Sequence, residues 1–540
     1  MGTHQVTNQV PPLVDHNTAD HPALVESLVR EGAEWALPEV HDLGRFAGTA
    51  EAQEWGRLAE RVPPRLVTHD RHGRRVDEVE YVPAYHELMH TAVEHGLHGA
   101  PWAEDRPGAH VARAAKFMAW SVDAGHACPI SMTCAVVPAL RANPVLADRF
   151  EPLLTARSYD FGLRDPLTKT GLLAGMSMTE KQGGSDVRAN TTTAVPDPAS
   201  GDGAYRLTGH KWFTSAPMSD MFLTLAQAPG GLSCFLVPRV VPGGSLNEIR
   251  LMRLKDKLGN RSNASAEIEY DGALGWLVGD QGRGVPTIAE MVNMTRLDCV
   301  IGSASGLRTA VVSATHHARH RRAFGKALID QPLMRNVLAD LAVESEMATT
   351  VAMRLAGAND RAIRGDESEA ALRRIALAVS KFYVCKRVPA AVGEAMECLG
   401  GNGYIEDFDL ARVYREMPLL SIWEGSGNVA ALDALRALAR SPETLDVFFG
   451  EAALAAGVDR RFDEAVARLQ KELTSFDEIE LRARRIVEQM ALVFAGSQLV
   501  RFAPAAVADA FCATRLAGDG GGVFGTLPTG LDFASILDRI

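Results

Sequence analysis

Two periodicities divide the chain. Between about Gly171 and Val285 the apolar residues come in short runs rich in β-branched and aromatic side chains. These runs are Tyr205–Thr214, Met221–Ala226, Leu232–Val237 and Ala266–Tyr270. Pro229-Gly230-Gly231 and Pro242-Gly243-Gly244 separate them, so this stretch predicts a compact domain of meandering strands. On either side the period is helical. Thr287–His320, Leu333–Ile363 and Glu367–Leu399 are long and amphipathic, with breaks near Gly365 and Gly400, the pattern of antiparallel helices in a bundle. Residues 1–160 read mostly as helix and loop: Ala23–Trp35 behind Pro22, Arg45–Leu58, and Ala109–Val122. Val62-Pro63-Pro64 and Ala100-Pro101 break the segments. Arg460–Leu473 and Glu478–Leu499 add helix near the end, before a glycine-rich stretch, Gly518–Gly525, expected to be a mobile loop.

The pattern predicts an α+β multidomain chain without internal repeats. Its modules are an N-terminal arm (1–40), a helical domain (41–170), a β domain (171–285), a C-terminal helical bundle (286–440) and a further helical extension (441–540). Composition changes this picture little. At 46% hydrophobic and 23% charged, the chain has the make-up of a soluble globular protein with a large core. Met490–Gly496 is among the longest apolar runs and is too short to cross a bilayer. The first residues carry no secretory pattern, and the seven cysteines form no Cys-x-x-Cys pair. Reduced thiols in a cytoplasmic protein are expected. A net charge of −11 offers nucleic acid no general attraction.

Some motifs invite misreading. His86-Glu87-Leu88-Met89-His90 matches a zinc-hydrolase signature, but no third ligand is identifiable, so no metal is expected. His316, His317 and His320 read as one helix face, and Gly279-Asp280-Gln281-Gly282-Arg283-Gly284 as a turn before a helix.

Chemistry concentrates in separated segments. Ser421-Ile422-Trp423-Glu424-Gly425-Ser426-Gly427-Asn428 places a carboxylate behind an aromatic and ahead of small residues. An aromatic neighbour excludes water and raises a carboxyl toward the range of a general base. The small residues let the backbone approach a large ligand. Alone, this run also reads as an ordinary loop. Met178-Thr179-Glu180-Lys181-Gln182-Gly183-Gly184-Ser185-Asp186 offers hydroxyls and amides around two glycines, suited to phosphate or flavin oxygens. Lys211-Trp212-Phe213-Thr214-Ser215 is an aromatic strand ending in two hydroxyls, able to cover a flat ring. Glu397–Tyr404, with Gly400 and Gly401, precedes Arg412, Arg415 and Glu416.

In this order, helix then strand then helix, the segments resemble the acyl-CoA dehydrogenase family over most of residues 60–440. Thr179–Asp186 looks like its first signature, with Ser177 departing from a small apolar residue. Glu397–Glu416 looks like its second, with Glu397 where most members carry Gln. The resemblance implies FAD as cofactor and Glu424 as the base that takes the α-proton of an acyl-CoA while the β-hydride goes to the flavin. It implies that Met178, Thr179, Gly184, Ser185, Trp212, Phe213, Thr214 and Ser215 line the flavin on one side. Trp423, Ser426 and Asn428 would lie on the other, with Glu397, Gly400 and Gly401 also on the cofactor. The substrate would meet Thr179, Ser185, Ser215, Gly425 and Asn428. Arg321, Phe324 and Gln331 match an element that reaches the FAD of a neighbouring subunit in a homotetramer, a dimer of dimers. Some members carry the base on another helix, at the place of Met294-Thr295-Arg296. No carboxylate stands there, and Asp298 is displaced.

Leu254–Ala264, Thr179–Ser185, Arg415–Pro418 and Ser421–Asn428 are most similar to a branch associated with the bacterial adaptive response to alkylating agents. That likeness implies weak activity on acyl-CoAs and a C-terminal domain that binds double-stranded DNA. Residues 441–540 carry 15 acidic and 10 basic side chains, a net −5. Arg436, Arg440, Arg482, Arg484 and Arg485 are the candidate DNA contacts, and solvated helix faces are the other reading of the same residues.

Overall fold

A computed structural model describes residues 2–201 and 203–540 of the chain. It forms two compact units. One comprises Met1–Thr49, Pro107–Ser121 and Arg296–Ile540; the other comprises Ala50–Arg106 and Val122–Thr295.

The second unit is built on strands. β1 (Arg65–His69) and β2 (Arg75–Glu80) form an antiparallel hairpin. β3 (Ala174–Ser177), β4 (Thr193–Pro196), β5 (Ala204–Ser215), β6 (Met221–Ala228), β7 (Gly231–Pro238), β8 (Ile249–Leu254) and β9 (Ser265–Val278) form one sheet. Its pairings run β6–β4–β5–β9–β7 and return from β7 to β6, closing a barrel. β3 lies parallel to β6, and β8 pairs antiparallel with β9. Closure leaves few free edges. The four strand runs read from sequence correspond to β5, β6, β7 and β9. The β1–β2 hairpin does not stand out in the sequence, because only Val79 and Asp77 among its residues are buried. Its turn is set by Asp70, whose Oδ1 accepts from the amides of His72 (2.8 Å) and Arg74 (2.9 Å).

Helices of the same unit pack on this barrel. Pro144–Leu154 starts with proline and is capped by Asn143, whose Oδ1 accepts from Leu146 N at 3.2 Å. The Asn143 Nδ2 donates to Leu277 O in β9 at 2.8 Å. One side chain thus ends a loop and docks a helix.

The other unit is helical. Gly284–His320, most of which lies in this unit, Pro332–Ile363 and Glu367–Cys398 are its long members, followed by Leu410–Ile422 and Gly427–Arg440. The N-terminal segments contribute Pro22–Arg30, Leu37–Ala47 and Ala109–Ala119, whose apolar faces join one continuous core with these helices. Arg45–Leu58 is therefore not one helix. The chain breaks at Gly48, where a Cβ would stand 1.7 Å from His16 O.

The extension belongs to the same core. Glu443–Ala453, Arg460–Glu472 and Ile479–Phe502 present Phe448, Phe462 and Phe494 to it. Ion pairs fasten it, all but Arg539–Glu26 largely buried. Arg354 bridges Glu369 (2.8 Å) and Glu451 (3.1 Å), and Arg515 reaches Glu344 at 2.9 Å. Arg539 joins Glu26 and Glu346, each at 2.7 Å. Removing one partner of such a buried pair is costly, because it leaves the other charge uncompensated. Of the glycine-rich stretch expected as a mobile loop, residues 518–523 are exposed, and only its end, Phe524 and Gly525, is packed. Phe524 is buried with the Arg387 guanidinium 4.3 Å from its ring centroid, and Gly525 N donates to Asp340 Oδ2 at 2.9 Å. Among the described residues no helix is long and apolar enough to cross a membrane.

Candidate active site

In the strand unit the site begins at a buried carboxylate. Glu180, fully buried, accepts from Lys211 Nζ at 2.8 Å, Thr192 Oγ1 at 2.6 Å and Thr191 N at 2.7 Å. Burial pulls the Glu180 carboxyl up, but these hydrogen bonds outweigh it and hold the group well below its usual range. Glu180 anchors the loop that follows to β5. Trp212 N adds a bond to Thr179 O at 2.8 Å, and Asn190 Nδ2 donates to Met178 O at 3.0 Å.

Beyond the anchor, residues 181–186 are exposed. Gly183 has φ +147°, and a Cβ on Gly184 would lie 2.5 Å from Thr179 Oγ1. Among the described residues nothing accepts from the amides of Gly184 and Ser185. They remain as donors for a ligand's phosphate or ring oxygens, as the chemistry of FAD requires.

β5 departs from strict alternation at this point. Its register with β9 shifts between Lys211 and Thr214, so Trp212 and Phe213 both turn outward while Lys211 and Thr214 are buried. Phe213 is 47% exposed, and Lys255 Nζ sits 3.2 Å from the Trp212 ring centroid. The bulge changes one expectation. The Thr214 hydroxyl is buried and paired with Ser177 Oγ at 2.5 Å, so it is not offered to a ligand. The same bond gives a use to the polar Ser177. Ser215 is half-buried, with its hydroxyl 3.3 Å from Ser265 Oγ.

In the helical unit Glu424 stands in the left-handed region, at φ +57°, followed by Gly425 at +103°. A non-glycine residue there stores strain of about 1–3 kcal/mol and persists only where its surroundings impose it. Two cations impose it here. Lys381, buried on Glu367–Cys398, donates to Trp423 O at 2.8 Å and to Gly425 O. Arg296 Nε donates to Glu424 O at 2.8 Å, while its Nη1 pairs with Asp433 at 2.7 Å. Arg374 completes the set on Asp433 at 2.9 Å. Three consecutive carbonyls are thus gripped. Sequence reading missed Lys381, Arg296 and Asp433. The available signal was a lysine inside the apolar run Ile375–Val384.

The Trp423 indole N–H is buried without an acceptor among the described residues. A buried donor left unmade costs about 1–3 kcal/mol, so this position fits a ligand acceptor. Ser426 and Asn428 are exposed at the start of Gly427–Arg440. Glu397 is exposed near the end of its helix, followed by Gly400 at φ +60° and the exposed Gly401. Asp298, the displaced carboxylate, is consumed by a buried bidentate pair with Arg113 at 2.6 and 2.7 Å.

Arg321, Phe324 and Gln331 gather on a hairpin of β10 (Arg322–Ala323) and β11 (Lys326–Ala327). Gln331 Nε2 donates to Ala323 O at 3.2 Å, and Phe324 at the tip is 97% exposed. His86 bonds Tyr159 OH at 2.9 Å, and His90 is exposed 3.7 Å from Glu94. No metal-binding group of three or more forms among the described residues. Of the candidate DNA contacts, Arg482 is held by Glu472 at 2.8 Å and Arg485 approaches it at 3.9 Å. Arg436, Arg440 and Arg484 are exposed.

One unit carries a strand barrel with a glycine loop on a buried glutamate, and the other a helical bundle with a strained glutamate. Sequence comparison gives the class of protein. The acyl-CoA dehydrogenase middle domain matches residues 175–273 and its C-terminal domain residues 282–439. The chain belongs to the acyl-CoA dehydrogenase family, a family of FAD-dependent oxidoreductases. Within it the chain is an AidB-type member: the adaptive response protein AidB N-terminal domain matches residues 8–161. The putative acyl-CoA dehydrogenase AidB of Escherichia coli K12 is 48% identical over 524 residues, 96% of this chain and 95% of the relative. Acyl-CoA dehydrogenase family member 11 of Caenorhabditis elegans is 32% identical, over 91% of this chain and 85% of its own. A crystal structure of that nematode enzyme in complex with C11-CoA superposes with a TM-score of 0.86 at 30% identity, covering 95% of this chain and 94% of that one.

Proposed function

We propose that this chain oxidises an acyl-CoA thioester between its α and β carbons, with FAD as cofactor and Glu424 as the base. The observation that carries the reading is the Glu424 loop: a strained carboxylate residue held by Lys381 and Arg296 through the carbonyls of residues 423–425. Such grip places a base before substrate arrives. Bound FAD would supply the acceptor for the β-hydride. Glu424 takes the α-proton, and its own backbone N–H polarises the thioester carbonyl as enolate character develops. The Thr179–Asp186 loop supplies amides and hydroxyls to hold the cofactor, and the Trp423 ring keeps water from the carboxylate. A medium-length acyl chain is the favoured substrate, since the nematode relative was crystallised with C11-CoA.

The test is anaerobic titration of the purified flavoprotein with short, branched, medium and long acyl-CoAs. Prompt bleaching of the flavin by a medium-chain thioester is expected. A bound flavin that no thioester bleaches would refute dehydrogenase turnover. Gly184→Ala is expected to weaken FAD binding about tenfold or more, because the added methyl displaces Thr179 and the amides beside it. Equilibrium titration of the apoprotein with FAD measures this.

Duplex DNA binding is the second reading, favoured by the exposed Arg436, Arg440, Arg484 and Arg485. Affinity that falls steeply with salt would support it, and no binding at low salt would dismiss it.

A further inference from the structure

The hairpin that carries Phe324 is too small to hold itself. β10 and β11 pair only Arg322 with Ala327 and Ala323 with Lys326. An isolated hairpin is marginal even at greater length. Its turn is strained as well, since Phe324 adopts φ +51° before Gly325 at +80°.

The missing support comes from the N-terminal arm of the same unit. Asn8 Nδ2 donates to Arg322 O at 2.9 Å, and Arg322 N donates back to Asn8 Oδ1 at 2.9 Å. The carboxamide thus offers Arg322 the donor and acceptor that a neighbouring strand would offer. Arg321 Nη1 donates to the Asn8 carbonyl, which orients the guanidinium. Asn8 itself sits at φ +56°, a conformation asparagine tolerates better than most residues. Further along, His316 Nε2 donates to Pro11 O at 2.8 Å, and Asp15 N to Gly48 O at 2.7 Å. The arm is tied at several points, yet among its described residues only Asn8 is hydrogen-bonded to the hairpin by its side chain.

We propose that Asn8 is a positioning residue for the cofactor. It holds the Arg321–Gln331 hairpin in the one geometry in which Arg321 and Phe324 meet the FAD of a second copy of this chain. The inference rests on the reading that this hairpin touches FAD. Phe324, at 97% exposure on the tip of the hairpin, is the apolar side chain that the second copy would cover.

The experiment compares Asn8→Ala, Asn8→Gly, Asn8→Asp and Phe324→Ala in the full-length protein. Glycine keeps the backbone conformation and removes the amide; aspartate keeps the acceptor to Arg322 N and loses the donor. FAD affinity is measured by titrating the apoprotein, apoprotein Tm by calorimetry, and assembly by light scattering. Asn8→Ala and Asn8→Gly are expected to weaken FAD binding about tenfold, the order of two lost hydrogen bonds. Asn8→Asp should recover part of the loss, and the apoprotein Tm should not move. If Phe324→Ala weakens FAD binding while Asn8→Ala does not, the hairpin reading stands and the proposal for Asn8 is overturned. If neither does, the hairpin reading fails and takes the proposal with it. A fall in apoprotein Tm that accounts for the lost affinity would mark Asn8 as structural only, and would also overturn the proposal.

Discussion

Glu424→Gln is expected to keep FAD bound and to lose acyl-CoA bleaching by a factor of about 10²–10⁴. Glutamine has nearly the same shape, so the constraints on the loop survive the change. Lys381 still grips the carbonyls of Trp423 and Gly425, and Arg296 that of residue 424, because all three bonds use backbone oxygens. The left-handed backbone at 424 is imposed by those contacts and by Gly425. Only proton acceptance is lost. Anaerobic stopped-flow measurement of flavin absorbance separates this from lost binding, since the oxidised spectrum reports FAD content before mixing. Unchanged reduction would place the base elsewhere. Asp298 is a poor substitute, because both of its oxygens are taken by Arg113.

Lys211→Met should destabilise the protein by about 3–5 kcal/mol, the cost of leaving one member of a buried ion pair alone. The side chains of Lys211 and Glu180 are both completely inaccessible. Lys211 also donates to Leu225 O at 2.8 Å, so its loss strips a carbonyl of β6. Urea unfolding of the apoprotein measures the change. Adding Glu180→Gln is expected to recover part of it, since the stranded charge is then gone. The pair also predicts a pH dependence. The Glu180 carboxyl is held below its unfolded value, so the stability it contributes is full above the ordinary carboxylate range. That stability is lost as the pH falls through the folded value. Wild-type protein should lose stability on acidification, and Glu180→Gln should lack that component.

Local signals made much of this molecule readable. The strands β5, β6, β7 and β9 and the helices Pro332–Ile363 and Glu367–Cys398 follow from period and turn residues, which act within a few positions. The glycine loop at 183–184 and the Trp423–Gly425 run stand out because small residues beside polar ones are a local signal too. The β1–β2 hairpin was not readable, because its strands bury too little to show alternation. Nor was the role of Thr214, which depends on where β5 slips against β9, fifty residues downstream.

What the sequence by itself determined is the set of elements, the chemistry each carries and the family they form. Only the tertiary structure decided which polar groups are spent on holding the fold and which remain for a ligand. Thr214 is spent on Ser177 and Asp298 on Arg113, while the Gly184 and Ser185 amides are left over. It also decided what supports Glu424: a lysine 43 positions upstream and an arginine 128 upstream. The physical reason is that hydrogen bonds and ion pairs are satisfied by proximity in space, and a linear pattern does not encode that proximity.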